Sequence, residues 1–436
     1  MNPSLQTASP SRLQGAYAGL LILTLINLLN YLDRYVLAGM LPLVQDHFAK
    51  TDEQMGVLSS SFLIVYALVS PFTGVLGDRF PRRYFIAGGV LLWSAATVWS
   101  GMSSSFGELL LARSLIGVGE AGYAAVAPGF ISDLFEEKRR GRMLAFFYAA
   151  LPIGSALGFV LGGMIGTAYG WRTAFYLAGL PGVVLGVMAL WMKEPRRGAT
   201  DRTSPSPEGE LPARPPAVST ILRTLARSRS FVINTAGYTA ATFAMGGLAA
   251  WWPTFLYRER GVPLDQGGLY FGAVLVVAGF LGTLAGGSLG DRINLRHRGG
   301  YFLAAGWGMI LALPFSVVAA LSQDPTLYWS ATFGALFFLF FNTAPLNAVL
   351  VNVVPATMRS SAVAVNVLVI HMLGDAISPW LIGKVSDGSS LGVAILLNCV
   401  MIAVSGLILL GGSGVLRRDM DLRSVQGPSL SRDIQL

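Results

Sequence analysis

The chain of 436 residues carries 31 Lys and Arg against 23 Asp and Glu, a formal net charge of +8, yet 53% of it is hydrophobic, only 12% is charged, and the mean hydropathy is +0.59. That balance excludes an ordinary soluble domain and marks a polytopic membrane protein. One cysteine, Cys399, excludes an internal disulfide framework, and His47, His297 and His371 lie too far apart for a metal cluster or a nucleophile with its base, so neither an enzyme nor a cofactor is expected.

Crossing ~30 Å of hydrocarbon takes ~20 apolar residues. Twelve windows qualify: 16–41, 54–77, 84–101, 106–134, 143–167, 173–192, 231–257, 266–290, 301–321, 327–353, 362–385 and 391–412. They divide the chain into a first six-helix bundle (1–193), a linker (194–229), a second six-helix bundle (230–414) and a tail (415–436). Every Lys and Arg except Arg34, Lys50, Arg113, Arg172, Arg258, Arg260 and Lys384 falls in the N-terminal stretch, the even-numbered loops or the C-terminal tail. This asymmetry predicts cytoplasmic termini, with basic charge meeting anionic lipid rather than nucleic acid. Residues 1–14 are polar and the first apolar run is long enough to span, which predicts a retained helix and no cleaved signal.

The first span holds Asn27, Asn30, Tyr31, Asp33 and Arg34. At 100° per residue Asn27, Asn30 and Arg34 share a face with Asp33 on its flank, predicting a polar stripe turned inward. The alternative is a solvated helix end. After the second span comes Gly74-Val-Leu-Gly-Asp78-Arg79-Phe-Pro-Arg82-Arg83, and 213 residues later Gly287-Ser-Leu-Gly-Asp291-Arg292 repeats it, so two like halves in tandem are expected. The fourth span places Arg113 and Glu120 two turns apart on one face with Gly117 between them, then Tyr123, and Asp133 near its end. Either a neighbouring helix packs closely at Gly117 or a cavity opens there, and the two charges are either functional or a static ion network. In the fifth span Gly154, Gly158 and Gly162 recur every fourth residue, a helix-packing stripe.

The linker is rich in Pro, Arg, Ser and Gly. After it, Val218, Ile221, Leu222 and Leu225 recur at helical spacing beside Arg223, Arg227 and Arg229, predicting a short amphipathic helix on the inner leaflet. The second half differs in chemistry. Its spans carry Trp251, Trp252, Phe337, Phe341 and several asparagines, but among charges little beyond Asp375, Lys384 and Asp387; His371 reads as a satisfied helix histidine. Pro345 in the tenth span echoes Pro128 in the fourth.

Twelve spans, a central linker and the repeated Gly-x-x-x-Asp-Arg turn resemble the major facilitator superfamily over essentially the whole chain. At finer grain, Asn30-Tyr-Leu-Asp33-Arg34-Tyr, Gly77-Asp78-Arg79-Phe, Arg113-x-x-x-Gly-x-Gly119-Glu120-Ala-x-Tyr123, Ala127-Pro128 and Asp133-Leu-Phe resemble the spinster family, whose members export sphingosine phosphate or lysophospholipids. The resemblance implies an all-α fold of two pseudo-symmetric six-helix bundles, spans 1, 4, 7 and 10 around a central cavity, and a monomeric transporter in a bacterial inner membrane. It implies that Asp33, Arg34, Arg113 and Glu120, with Asn30, Tyr31 and Tyr123, bind an amphiphilic lipid and couple to protons. It also gives Gly74, Asp78, Arg79, Arg82 and Asp133, and the second-copy pair Asp291 and Arg292, a gating role. Asn294 and Leu295 replace Pro81 and Arg82 in the second copy, so its latch should be weaker. Charge in one half and aromatic surface in the other suit an amphiphile, with guanidinium forking to phosphate; multidrug or organic-anion export is the alternative.

Overall fold

The computed structural model describes residues 10–195, 218–354 and 358–425, and a few side chains within that set, Gly74, Asp78 and Arg79 among them, lie outside the description. Among the described residues the secondary structure is helical throughout. The first half contains α1 (Pro10–Phe48), α2 (Asp52–Arg79), α3 (Arg82–Met102), α4 (Phe106–Leu134), α5 (Glu137–Val160), a π-turn (Leu161–Ile165) leading into the short α6 (Gly166–Tyr169), and α7 (Trp171–Leu190). Then come α8 (Val218–Arg227), α9 (Arg229–Arg260), α10 (Leu264–Arg296), α11 (Gly300–Leu321), α12 (Pro325–Phe341), α13 (Thr343–Asn352), α14 (Arg359–Ile370), a second π-turn (His371–Asp375), α15 (Ser378–Gly388) and α16 (Leu391–Val425). Among the described residues, eleven stretches are long and apolar enough to span a membrane. The twelfth expected span, α9, is also long, but Asn234, Thr235, Thr239 and Thr242 dilute its hydropathy.

The chain forms two compact units. Unit 1 holds residues 1–50, 61–211 and 261–272; unit 2 holds 51–60, 212–260 and 273–436. The halves exchange helix starts, since the first turns of α2 count with unit 2 and those of α10 with unit 1. Within unit 1, α3 packs on α4 and α7, and α1 on α5 and α7; within unit 2, α11 packs on α12 and α16, and α9 on α16 and the second π-turn. The order of partners is the same in both, so the tandem repeat seen at the glycine turns is a repeat of packing.

Close backbone approach explains the glycine stripe. A Cβ on Gly158 would lie 2.5 Å from the Leu32 carbonyl, and Gly154 and Gly162 face the carbonyls of Leu28 and Val36 in the same way. No other residue lets α5 sit on α1 at that distance. The amphipathic helix forms as α8: Leu225 is buried and Ile221 packs against the unit 2 core around Phe231 and Phe302, while Val218, Leu222, Arg223 and Arg227 are exposed. The tenth span breaks at Asn342, three residues before Pro345, because proline lacks the N–H that residue 341 would accept. The span containing Pro128 runs unbroken from Phe106 to Leu134.

Candidate functional site

Four charges from two helices meet inside unit 1. Arg34 Nε donates to Glu120 Oε2 at 2.7 Å, and Arg113 Nη1 lies 3.6 Å from Asp33 Oδ1 and donates to the Asp33 carbonyl at 3.4 Å. The pairing is crosswise: adjacent residues of α1 point about 100° apart and reach residues two turns apart on α4. Asp33 is 1% exposed and Glu120 0%, which removes the solvated-helix-end reading. The space between the two α4 charges is filled by packing. A Cβ on Gly117 would stand 2.5 Å from the Phe62 carbonyl, so α2 closes against α4 at that point.

Thr97 on α3 donates its hydroxyl to Asp33 Oδ2. Phe62, Tyr31 and Tyr66 surround the Arg34 guanidinium, with ring centroids 5.2, 5.0 and 4.8 Å from Cζ, and Phe62 also lies 5.6 Å from Arg113 Cζ. The aromatic cage offsets the removal of a cation from water. Donors and acceptors remain unspent: Asn30 Nδ2, Arg113 Nε and Glu120 Oε1 are buried without a hydrogen-bond partner. A buried polar atom without a partner costs free energy comparable to a lost hydrogen bond, so the quartet retains unused hydrogen-bonding capacity. Tyr123, grouped with these residues by sequence, is placed differently. Its hydroxyl donates to the Leu23 carbonyl at 2.8 Å and its ring sits against Trp93 in the apolar core.

At the glycine turn, Arg82 is 7% exposed and donates to Asp133 Oδ2 at 2.6 Å, to Glu194 Oε1 at 3.2 Å and to the Pro195 carbonyl at 3.1 Å. Glu194 also accepts from the backbone N–H of Arg82 and Arg83 at 3.1 and 2.9 Å, capping the start of α3 where the helix dipole favours an anion. Arg82 and Asp133, which the resemblance groups in one gating role, are in direct contact, and Asp133, Glu194 and Pro195 all belong to unit 1. Asp78 and Arg79 lie outside the described side chains. In the second copy α10 runs on to Arg296 because Asn294 stands where Pro81 breaks the first. Leu295, at the Arg82 position, is consequently 88% exposed, Arg292 is exposed, and Asp291 accepts from the Tyr301 hydroxyl at 2.9 Å.

Thr97, Phe62, Tyr66 and Glu194 were not singled out by sequence reasoning. A threonine inside a helix ordinarily bonds its own preceding turn, as Thr97 also does with the Trp93 carbonyl at 2.9 Å, so nothing in the sequence marks it. Glu194 could have been noticed as a lone acid between a span and a basic linker.

Residues 23–379 match the Major Facilitator Superfamily, so the chain is a multi-pass membrane transporter by fold and family. It is 37% identical to protein spinster homolog 1 of Bos taurus over 388 residues, covering 84% of this chain and 72% of the relative. Against protein spinster of Drosophila melanogaster it is 35% identical over 377 residues, 84% of this chain and 61% of the relative. The crystal structure of a bacterial homolog to the human lysosomal transporter spinster, in an inward-facing and unoccupied conformation, superposes with a TM-score of 0.84 at 21% identity over 95% of this chain and 99% of that one. The chain belongs to the spinster family of the major facilitator superfamily.

Proposed function

We propose that the chain is a secondary transporter of anionic amphiphilic lipids of the lysophospholipid or sphingosine-phosphate type, coupled to protons and working by alternating access as a monomer in a bacterial cell membrane with its termini in the cytoplasm. The observation that carries this reading is the buried quartet of Asp33, Arg34, Arg113 and Glu120 with its unspent donors and acceptors. Two guanidiniums held by two carboxylates form a neutral set, and a phosphate headgroup can displace one carboxylate only if that carboxylate takes up a proton or moves to water. Headgroup and proton then enter together. The aromatic rings beside Arg34 give a wall against which the start of an alkyl chain packs, at about 0.8 kcal/mol per buried CH₂.

Reconstituted protein should accumulate a lysophospholipid when a proton gradient is imposed and fail to do so without one. Transport of neutral apolar drugs at the same rate, with no response to phosphorylated lipids, would replace this reading with multidrug export.

A further inference from the structure

Seven cations depart from the charge asymmetry of the sequence, and each needs a physical reason, because a translocated Lys or Arg opposes the membrane orientation. Four have carboxylates. Arg34 and Arg113 belong to the quartet, Arg258 Nη1 donates to both Asp52 oxygens at 2.9 Å, and Lys384 Nζ is 3.9 Å from Glu53. A fifth, Arg260, donates to the carbonyls of Glu259 and Ala320. Lys50 and Arg172 have no carboxylate within 4 Å among the described residues.

Those two cations lie in one place, the end of unit 1 opposite the glycine turn, where α1 finishes and α4 and α7 begin. Arg172 lies 4.2 Å over Trp171; Trp171 meets Phe48 at 5.6 Å, Phe48 meets Phe106 at 6.2 Å, and Lys50 Nζ sits 5.4 Å over Phe106. Arg172 Nη2 donates to the Ser103 carbonyl at 3.0 Å and stands 3.2 Å from His47 Nε2. A guanidinium with its neighbouring imidazole stands at one end of this run of aromatic rings and an ammonium at the other, with donors in surplus. Asp46, the acid of the same turn, is exposed and forms no ion pair among the described residues. The lysine is held in place by its backbone, which accepts from Gln45 Nε2 at 3.0 Å and donates to the Gln45 carbonyl at 3.2 Å. Exposed Tyr169 (72%) and Met102 (66%) flank the cluster with apolar surface.

We infer that this cluster is a second anion site, distinct from the quartet, which takes a phosphate-type oxyanion such as a phospholipid headgroup. Arg172 supplies the fork, Lys50 the point charge, and the aromatic platform suits the polar–apolar boundary of a bilayer.

The test uses the full-length protein, delipidated in detergent and titrated separately with short-chain phosphatidylglycerol and with inorganic phosphate. The proteins compared are the parent, Lys50→Gln and the double variant Lys50→Gln/Arg172→Gln. The expected result is saturable binding to the parent, weakened about threefold in Lys50→Gln and about tenfold or more in the double variant, with the quartet side chains unaltered in all three proteins. Tighter binding of the lipid than of phosphate assigns the site to a headgroup; equal binding assigns it to free phosphate. Titrations identical in the parent and the double variant overturn the inference. If the double variant does not fold, Lys50→Gln decides alone, because its side chain is partly exposed and anchors nothing else, and a titration equal to the parent's then overturns it.

Discussion

Arg34 and Arg113 differ in what replaces water around them. Arg34 has three aromatic rings and one short carboxylate bond, whereas Arg113 is 2% exposed and spreads a single nitrogen over the Asp33 side chain and carbonyl. Lysine at position 113 keeps the charge and loses the fork. Arg113→Lys should therefore weaken binding of a phosphorylated lysolipid about tenfold, or ~1.4 kcal/mol, with little change for a neutral apolar drug. Equal losses for both in equilibrium binding would make Arg113 a structural arginine. Thr97→Val tests the hydroxyl on Asp33: loss of a hydrogen bond to a charged group is worth about 1.5–3 kcal/mol, so the pH profile of transport should move while expression holds. A profile identical to the parent's would show that Thr97 does not tune Asp33. The charges themselves were legible, because Asp33, Arg34, Arg113 and Glu120 interrupt apolar runs. Their crosswise pairing was not, since it depends on the rotation of α1 against α4, which no spacing along either helix specifies.

Among the helices, the first turns of α2 show how an element can belong to a unit other than its neighbours'. Asp52 and Glu53 give their backbone N–H groups to Asp387 at 2.9 and 2.8 Å, Ser386 donates to Asp52 at 2.6 Å, and Trp380 Nε1 donates to Glu53 at 3.0 Å. Gly383 admits the Asp52 carbonyl where a Cβ would clash, so α2 and α15 meet backbone to backbone. The counterpart exchange at the start of α10 is apolar: Phe271 packs on Phe159 at 4.9 Å, and a Cβ on Gly268 would stand 2.5 Å from the Phe159 carbonyl. The polar docking depends on Arg258, which is 31% exposed and bonds both oxygens of Asp52. Arg258→Gln should raise amide hydrogen exchange in residues 52–60 by about tenfold, with the α10 start unaffected. Unchanged exchange in that segment would mean that Asp387 and Ser386 suffice. At this scale the sequence was informative about spans, the α5 stripe and the amphipathic α8, all of which follow from local periodicity. It was silent about the exchanged helix starts, which arise from contacts hundreds of residues apart. The two glycine turns differ in geometry for a local reason that the sequence does carry, the replacement of Pro81 by Asn294.

For the whole molecule, the proposed function turns on how a buried neutral quartet would make lipid binding and proton uptake one event. Asp33, Arg34, Arg113 and Glu120 sum to zero charge, and the interior around them is apolar and aromatic. A phosphodiester headgroup adds one negative charge, and an uncompensated charge in such surroundings is costly, so the favourable state with lipid bound also holds one extra proton on a carboxylate. Linkage fixes the sign. If binding is accompanied by uptake of one proton, the lipid must bind more tightly as pH falls, and the dissociation constant changes by at most about tenfold per pH unit. A lysophosphatidylglycerol is the suitable probe, because its phosphodiester keeps one charge across the range and contributes no titration of its own. The parent should show this pH dependence. Glu120→Gln and Asp33→Asn leave the quartet with a net positive charge at every pH, so the variant that has lost the proton carrier should bind the lipid with a flat profile, at the affinity the parent reaches in acid, and should exchange lipid without responding to an imposed pH gradient. A static ion network predicts the opposite pattern: lower folded yield in both variants and a parent profile with no slope. A sloped parent with equally sloped, well-folded Asp33→Asn and Glu120→Gln variants would show that the proton is carried elsewhere, and His371, 2.9 Å from Asp375 in the second π-turn, would be the next group to replace.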